Sequence, residues 1–454
     1  MDKTTIEQSA KRLSEVQPSL NAVVTFAELP DEISTQGKLA GIPVVLKDNI
    51  ITNGLRTTAS SGILDNYIPV YDSIVAKRLK EAGSVIMAKA SMDELGMGGT
   101  NRNAFTGPVH NPYDLDRISG GSSGGSAVLV ASKAVPLAIG TDTGDSIRKP
   151  AAFCGVVGFK PTYGRIPRYG IIPYASSLDT VGTFTRSVKD AALALEVLAG
   201  RDDHDMTSSY EEVGEYSVLL NDDLKGKKIG ILRTVSDEIK NPDIKAAFDQ
   251  LVDDLKNAGA IVSDLEMDRK LLELIAPVYK TIANAEATAN HSNLDGIRFG
   301  VRKTSESVED VMTASRTEGF SSYVRARFVI GSYSLFEENQ DRLFRKAQKI
   351  RRLISEAYAR LFEDQDVVLT IAAPDVAPKI EKTSEVRFGI DRFEEEHMQL
   401  ANFTGYPSIV LPLGLSDGLP FAVELTARPF EEQNLLDTAA GVEKVIDFQG
   451  EPTL

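Results

Sequence analysis

The 454-residue chain reads as an α/β protein, a β-sheet carrying helices on its faces. Three observations predict this. Short apolar runs of strand length alternate with segments of helical periodicity along most of the chain. The composition, 42% hydrophobic and 25% charged, is that of a chain able to bury a core, which excludes wholesale disorder. No internal repeat or low-complexity tract interrupts the alternation, so one compact body over residues 1–454 is expected.

The elements follow in order. Residues 41–46 (GIPVVL) form a buried-strand run, and residues 73–82 a helix that leads into a strand near 84–88. Residues 122–132 are small and helical, and 135–141 (VPLAIGT) are a strand. The apolar spacing of 188–198 (VKDAALALEVL) is helical, with Gly200 as a stop signal. Residues 201–225 are acidic and weakly periodic, which suits a surface loop or an interdomain linker, the loop being favoured because strand-like sequence resumes at once. Residues 228–232 are a strand. Asn241-Pro242 then opens a helix, with an N-cap side chain followed by proline at the first helical position. That helix runs to about Asn257, and Gly259 closes it before a strand at 260–262. A long charged helix is expected over 337–362, and strands at 367–371, 407–411 and 421–425.

Composition also narrows the chemistry. The single cysteine, Cys154, cannot form an internal disulfide or a thiolate-rich metal site. The four histidines, His110, His204, His291 and His397, show neither i, i+4 spacing nor an HExxH frame. A protein-built zinc or iron site and a Ser-His-Asp triad are therefore not expected. The net charge of −15 argues against a chain that grips phosphate backbones by itself. No stretch approaches the roughly 18 apolar residues of a membrane-spanning helix, and the polar N-terminus shows no signal-peptide core. A cytoplasmic enzyme is the default expectation, with the mitochondrial matrix as the eukaryotic counterpart.

Residues 120–161 (GGSSGGSAVLVASKAVPLAIGTDTGDSIRKPAAFCGVVGFKP) hold two Gly/Ser-rich turns flanking a helix and a strand. Read alone, GGSSGG is equally a flexible loop. A phosphate-binding loop is the weaker reading, because the GxxxxGK[ST] and GxGxxG frames are both missing. The second turn, GDSIRKP, lies 24 residues on from Ser122 to Ser146, and Lys47 sits upstream at the end of an apolar run. With no suitable histidine, a serine nucleophile needs another proton acceptor, and a lysine whose pKa is lowered by burial can serve. Without the serine turns, Lys47 would read as a surface lysine at a strand end. Backbone N–H groups around Ser146 can converge on an oxyanion, so acyl transfer is the natural reaction class.

These residues resemble the amidase signature family. The spacing from the double-serine turn to the Ser-Ile-Arg turn is that of the family, and IPVVLKDNI, with Lys47 75 residues before Ser122, is similar to its lysine motif. The resemblance implies an amidase-signature fold, with a large mixed twisted β-sheet flanked by helices on both faces and a catalytic core at about 39–200. It implies a Ser-cisSer-Lys triad. Ser146 is the acylated nucleophile, Ser122 the relay serine, usually preceded by a cis peptide, and Lys47 the terminal base. The backbone N–H groups of Thr143, Gly144, Asp145 and Ser146 form the oxyanion hole. Family spacing alone chooses Ser122 over Ser123. Asp142 and Arg148 are expected to hold the shape of the nucleophile turn, and Cys154 to be a small core residue.

Within the family, SMDELGMGGTNRNAFTGPVHNPYD, FCGVVGFKPTYGRIPRYGIIPYASSLDTVG, SNLDGIRFG and SRTEGF are similar to the glutaminase subunits of tRNA-dependent amidotransferases. That resemblance spans about residues 39–448. It implies hydrolysis of glutamine to supply ammonia for converting Glu-tRNA(Gln) or Asp-tRNA(Asn). It implies a B-type partner subunit that holds tRNA and uses ATP with Mg, a small C-type accessory subunit, and no cofactor or metal in this chain. Arg327 is implied as the cation for the glutamine α-carboxylate, Tyr279 as a hydrogen-bonding residue and Glu395 as the anion for its α-ammonium. Glu394 and Glu396 flank Glu395 and compete with it, and all three also suit a solvated helix face. Arg327 equally suits a surface ion pair.

Two departures stand out. The usual nucleophile turn reads Gly-Gly-Ser, whereas this chain has Gly144-Asp145-Ser146. A carboxylate there opposes a developing oxyanion unless it is paired, with Lys149 or Arg148 as the candidates, and a positive φ at that position would favour glycine. Asp145 is thus expected to lower or retune the glutaminase step. Lys47 also comes earlier than is typical of bacterial members, which implies that part of a leading helical segment is missing or replaced. A stand-alone small-amide amidase and a catalytically weakened scaffold subunit are the alternatives.

Overall fold

The structure, a computed structural model, describes residues 3–382 and 396–454. Its strands in chain order are β1 (Val23–Phe26), β2 (Pro43–Lys47), β3 (Val85–Ala90), β4 (His110–Asn111), β5 (Asp114–Ile118), β6 (Leu137–Asp142) and β7 (Val157–Lys160). Then come β8 (Thr180–Thr185), β9 (Lys228–Leu232), β10 (Ile261–Leu265), β11 (Val367–Ile371), β12 (Ser408–Ser416) and β13 (Leu419–Thr426). Eleven of them form one sheet in the order β1-β3-β2-β6-β8-β7-β12-β13-β11-β9-β10, and β4 and β5 pair separately. The sheet is mixed. β3, β2 and β6 run parallel at one side, β11, β9 and β10 run parallel at the other, and antiparallel pairs join them through the middle.

Both faces of the sheet are covered, which is why the central strands are near-continuous apolar runs rather than alternating ones. All five residues of β2 and all six of β6 are buried. Their side chains alternate between two cores. Val44, Leu46, Leu137 and Ile139 enter one, and Val45 and Ala138 enter the other. Helices Ile74–Glu81, Val188–Leu198 and Pro242–Asn257 contribute to the first core, and Lys3–Leu20, Gly124–Ala131 and Arg148–Cys154 to the second. The large mixed sheet flanked by helices on both faces is therefore present.

Most expected elements are found where the sequence placed them. Helix Val188–Leu198 and strands β9 and β11 keep their expected bounds. Ser73 caps Ile74–Glu81 by accepting the Ala76 N–H, and Asn241 caps Pro242–Asn257 by accepting from Asp243 and Ile244. Residues 201–225 contain no helix or strand. The long charged helix differs. It consists of Glu337–Gln340, a π-helical turn Asp341–Arg345 with no buried residue, and Lys346–Arg360. The wider turn adds a residue and rotates the buried face, so that Ala347, Ile354, Ala357 and Tyr358 meet the core. Helices Lys3–Leu20, Ile275–Asn290, Val308–Gly319 and Ser322–Leu335 are additions to the sequence reading. Among the described residues no helix is long and apolar enough to cross a membrane.

Candidate active site

The site lies at the C-terminal ends of the parallel strands β2 and β6, where an open α/β sheet leaves room for a ligand. The apolar run 43–46 buries β2 in the middle of the parallel group, and that burial carries Lys47, the last residue of the strand, inside with it. Lys47 is fully buried. Its Nζ donates to Ser122 Oγ at 2.7 Å and to the Thr141 carbonyl at 3.1 Å. Burial pulls the Lys47 pKa down from 10.5 to about 7, against the opposing pull of the Asp93, Asp142, Asp179 and Asp145 carboxylates. A lysine poised near neutrality and hydrogen-bonded to a hydroxyl can take up a proton at physiological pH.

Ser122 follows a cis peptide bond from Gly121. Its neighbour Ser123 faces elsewhere. The Ser123 Oγ donates to the Thr141 carbonyl at 3.1 Å, and its N–H donates to the Ser146 carbonyl at 3.2 Å. Of the two serines, it is Ser122 that engages Lys47, and Ser123 ties the serine turn to β6 and to the nucleophile turn. Asp93 anchors the same turn, accepting the N–H groups of Asn101 at 2.9 Å and Thr100 at 3.2 Å, while its own N–H donates to the Ser122 carbonyl at 3.1 Å.

Residues 143–147 leave β6 and enter helix Arg148–Cys154. The Ile147 N–H donates to Asp142 Oδ2 at 2.9 Å, and the Lys149 N–H to the Asp145 carbonyl at 2.8 Å. The N–H groups of Thr143, Gly144, Asp145 and Ser146 have no acceptor among the described residues, so they are open to an incoming oxygen. Gly144 is required by close approach: a Cβ there would come within 2.9 Å of the Tyr279 ring. Asp145 is not among the residues with positive φ, so the turn admits its side chain without backbone strain. The expected reason for a glycine at 145 therefore does not operate here. Its carboxylate is ion-paired with Lys149 rather than Arg148.

Arg148 is instead the hub of a buried charge network. It is fully buried and pairs bidentately with Asp142, Nε to Oδ2 at 3.1 Å and Nη2 to Oδ1 at 3.0 Å. It also donates to Glu424 at 2.6 Å, to the Gly144 and Met398 carbonyls at 2.8 and 2.7 Å, and to Asn402 Oδ1 at 2.7 Å. Burial pushes the Asp142 carboxyl up, but the charge and hydrogen bonds of Arg148 overcome it and hold the group at about 2. The shape-holding role expected of Asp142 and Arg148 is what the geometry provides. Cys154 is buried in an apolar cluster and burial pushes its thiol up, the state of an inert core residue.

The residues expected on the substrate side, Tyr279 and Arg327, come from two packed helices, Ile275–Asn290 and Ser322–Leu335. They approach closely because Gly331 has no side chain; a Cβ there would meet the Asn284 carbonyl at 2.1 Å. Arg327 Nη1 donates to Tyr174 Oη at 2.9 Å and to Asn284 Oδ1 at 3.4 Å, and Nη2 donates to the Tyr323 hydroxyl. Tyr279 hydrogen-bonds Tyr174 in turn. Tyr279 and Arg327 are thus brought together beside the 143–147 turn, and among the described residues Arg327 has no ion-pair partner. Glu395 and its neighbour Glu394 lie outside the described residues. Sequence reasoning missed Tyr174, Asn284 and Tyr323. Only Tyr323 left a signal, at i, i+4 from Arg327 on one helix face.

The chain belongs to the amidase family, whose profile matches residues 4–436. It is 44% identical over 420 residues to the A subunit of the glutamyl-tRNA(Gln) amidotransferase of Fusobacterium nucleatum subsp. nucleatum, covering 92% of this chain and 85% of that one. The crystal structure of the corresponding A subunit from Thermotoga maritima superposes with a TM-score of 0.82 at 33% identity, covering 99% of this chain and 94% of that one. The peptide amidase of Stenotrophomonas maltophilia shares the fold with a TM-score of 0.83 at 27% identity, again over 99% and 94% of the two chains.

Proposed function

We propose that this chain is the glutaminase subunit of a tRNA-dependent amidotransferase, working through Lys47, Ser122 and Ser146. The observation that carries the reading is the buried hydrogen bond from Lys47 Nζ to Ser122 Oγ, 2.7 Å long, beside a turn in which the N–H groups of residues 143–146 have no acceptor among the described residues. Ser146 Oγ attacks the side-chain carbonyl carbon of glutamine. Its proton passes to Ser122 as the proton of Ser122 passes to neutral Lys47. The N–H groups of Thr143, Gly144, Asp145 and Ser146 stabilise the oxyanion. On collapse the C–N bond breaks, the proton returns from Lys47 through Ser122 to the leaving nitrogen, and ammonia departs. Water then attacks the γ-glutamyl ester by the same route in reverse, releasing glutamate and Ser146. Arg327 receives the α-carboxylate, Tyr279 hydrogen-bonds the ligand, and Glu395 answers the α-ammonium.

Ammonia goes to a B-type partner subunit that binds tRNA and activates its aminoacyl carboxylate with ATP and Mg, with a C-type accessory subunit completing a cytoplasmic complex. The charge of −15 suits this division of labour. The test is ammonia release from glutamine by the purified chain, alone and then with the partner, ATP and misacylated tRNA. Release that needs Ser146 and rises with partner and tRNA is expected. Turnover of simple amides in place of glutamine would favour a stand-alone amidase, the reading to which the likeness to a peptide amidase lends support. No release under any condition, from folded protein, would leave the scaffold reading.

A further inference from the structure

Asp145 places a carboxylate on the turn whose backbone N–H groups face the oxyanion. That carboxylate is poorly solvated: the Asp145 side chain is 12% exposed, and its ion-pair partner Lys149 is 16% exposed. The pair is set by the backbone. Lys149 is the second residue of helix Arg148–Cys154, and its N–H donates to the Asp145 carbonyl at 2.8 Å, which fixes the two side chains at i, i+4. Arg148 is unavailable, being engaged with Asp142, Glu424, Gly144, Met398 and Asn402.

The other carboxylates facing Lys47 are each answered locally. Asp142 is held by Arg148, Asp93 by the N–H groups of Thr100, Asn101 and Asn103, and Asp179 by Thr143 Oγ1 and the N–H groups of Tyr174 and Ala175. Among the described residues, the Asp145 carboxylate has Lys149 alone.

We propose that Lys149 is the charge-compensating residue of the nucleophile turn, neutralising Asp145 so that the turn's N–H groups still favour an oxyanion. The inference rests on Ser146 being the nucleophile and deepens that reading. Removing Lys149 leaves an anion beside two groups that suffer from it. The oxyanion is repelled, and Lys47 holds its proton more tightly, so the acidic limb of activity moves to higher pH.

The experiment follows covalent modification of Ser146 by a fluorophosphonate, alongside glutamine hydrolysis. In the probe reaction the Ser146 oxygen bonds phosphorus, the P–F bond breaks, fluoride leaves, and the serine proton passes through Ser122 to Lys47. Lys149→Gln is expected to slow both reactions by about tenfold or more, to shift the acidic limb upward and to leave the glutamine KM nearly unchanged. Lys149→Arg rescues. The double variant Asp145→Asn, Lys149→Gln recovers most of the loss, because the charge that needed an answer is gone.

A Lys149→Gln variant with parental labelling rate and pH profile overturns the proposal, and so does a double variant as slow as the single one. A rise in glutamine KM with no change in labelling overturns it too, and assigns Lys149 to substrate binding. If the parent protein labels at Ser146 and the variants follow the expected pattern while glutamine stays intact, the glutaminase reading falls and the charge pair stands. A parent that does not label overturns both.

Discussion

The two halves of the site are held in different ways. Lys47, Ser122 and the nucleophile turn hang on the ends of β2 and β6 and are buried, with Arg148 and Asp93 tying each turn to the frame through several hydrogen bonds. Arg327, Tyr279 and Tyr323 stand on two helices whose relation to the sheet is set by side-chain packing, and they are only half-buried. On the proposed roles, chemistry common to a family is placed on the rigid sheet, and substrate choice on elements free to differ. Each half is therefore expected to respond differently to substitution.

The largest effect belongs to the sheet side. Ser146→Ala removes the proposed nucleophile and Lys47→Met the proposed base, and each is expected to lower kcat by about 10⁴-fold or more, with no useful addition when the two are combined. Additive losses in the double variant would mean that the residues do not act as one unit. Arg148→Met comes next and acts on folding. It leaves Asp142 and Glu424 as buried carboxylates without their guanidinium, at a cost of about 3–5 kcal/mol in a denaturant titration. A loss of activity with unchanged stability would instead confine Arg148 to the chemistry.

On the helical side the expected change is in binding. Arg327→Met removes the cation presented beside Tyr174 and is expected to raise the glutamine KM by roughly a hundredfold, about 2.7 kcal/mol, with a smaller change in kcat. A kcat loss at constant KM would move Arg327 across to the catalytic half. A pH profile separates the halves again. Lys47 is depressed from 10.5 to about 7, so it is half neutral there and gains a proton below it. kcat/KM is then expected to fall by about tenfold per pH unit on the acid side of pH 7. Arg327→Met should leave that limb in place, because a guanidinium does not titrate in this range.

The sequence was readable in the same uneven way. Strands β2, β6 and β11, fully buried, and β9, buried after Lys228, were legible as apolar runs because such burial leaves no polar alternation to confuse them, and Ser73 and Asn241 announced their helices by capping chemistry. Lys47 and Ser122, which the family resemblance singles out together from a lysine after an apolar run and a glycine-serine turn, are joined by a hydrogen bond, although neither segment read alone was more than a strand end and a loop. Helix Ser322–Leu335 was not legible, since its faces mix core, site and surface residues and blur the 3.6-residue period. Tyr174 and Asn284 join Arg327 from 153 and 43 residues away, contacts that no local pattern records. The ease with which a glycine at 145 could be explained by backbone strain was misleading, because that turn is not left-handed.

The smallest expected effect is the most discriminating for how rigidly Arg327 is held. The Tyr323 hydroxyl accepts from Arg327 Nη2, and its ring lies 4.6 Å from the guanidinium carbon, one helical turn away on the same face. Tyr323→Phe keeps the ring and the cation–π contact and removes only the hydrogen bond. A bond of that kind to a partly exposed cation is worth about 1 kcal/mol, so a KM increase of roughly fivefold is expected, with kcat and the acid limb unchanged. Tyr323→Leu, which also deletes the ring, should cost more. If the two substitutions were equal, the ring would contribute nothing and the hydroxyl alone would orient Arg327. If Tyr323→Phe lowered kcat as much as it raised KM, the helical half would reach into the chemical step, and the division between a rigid catalytic frame and a separate recognition surface would fail.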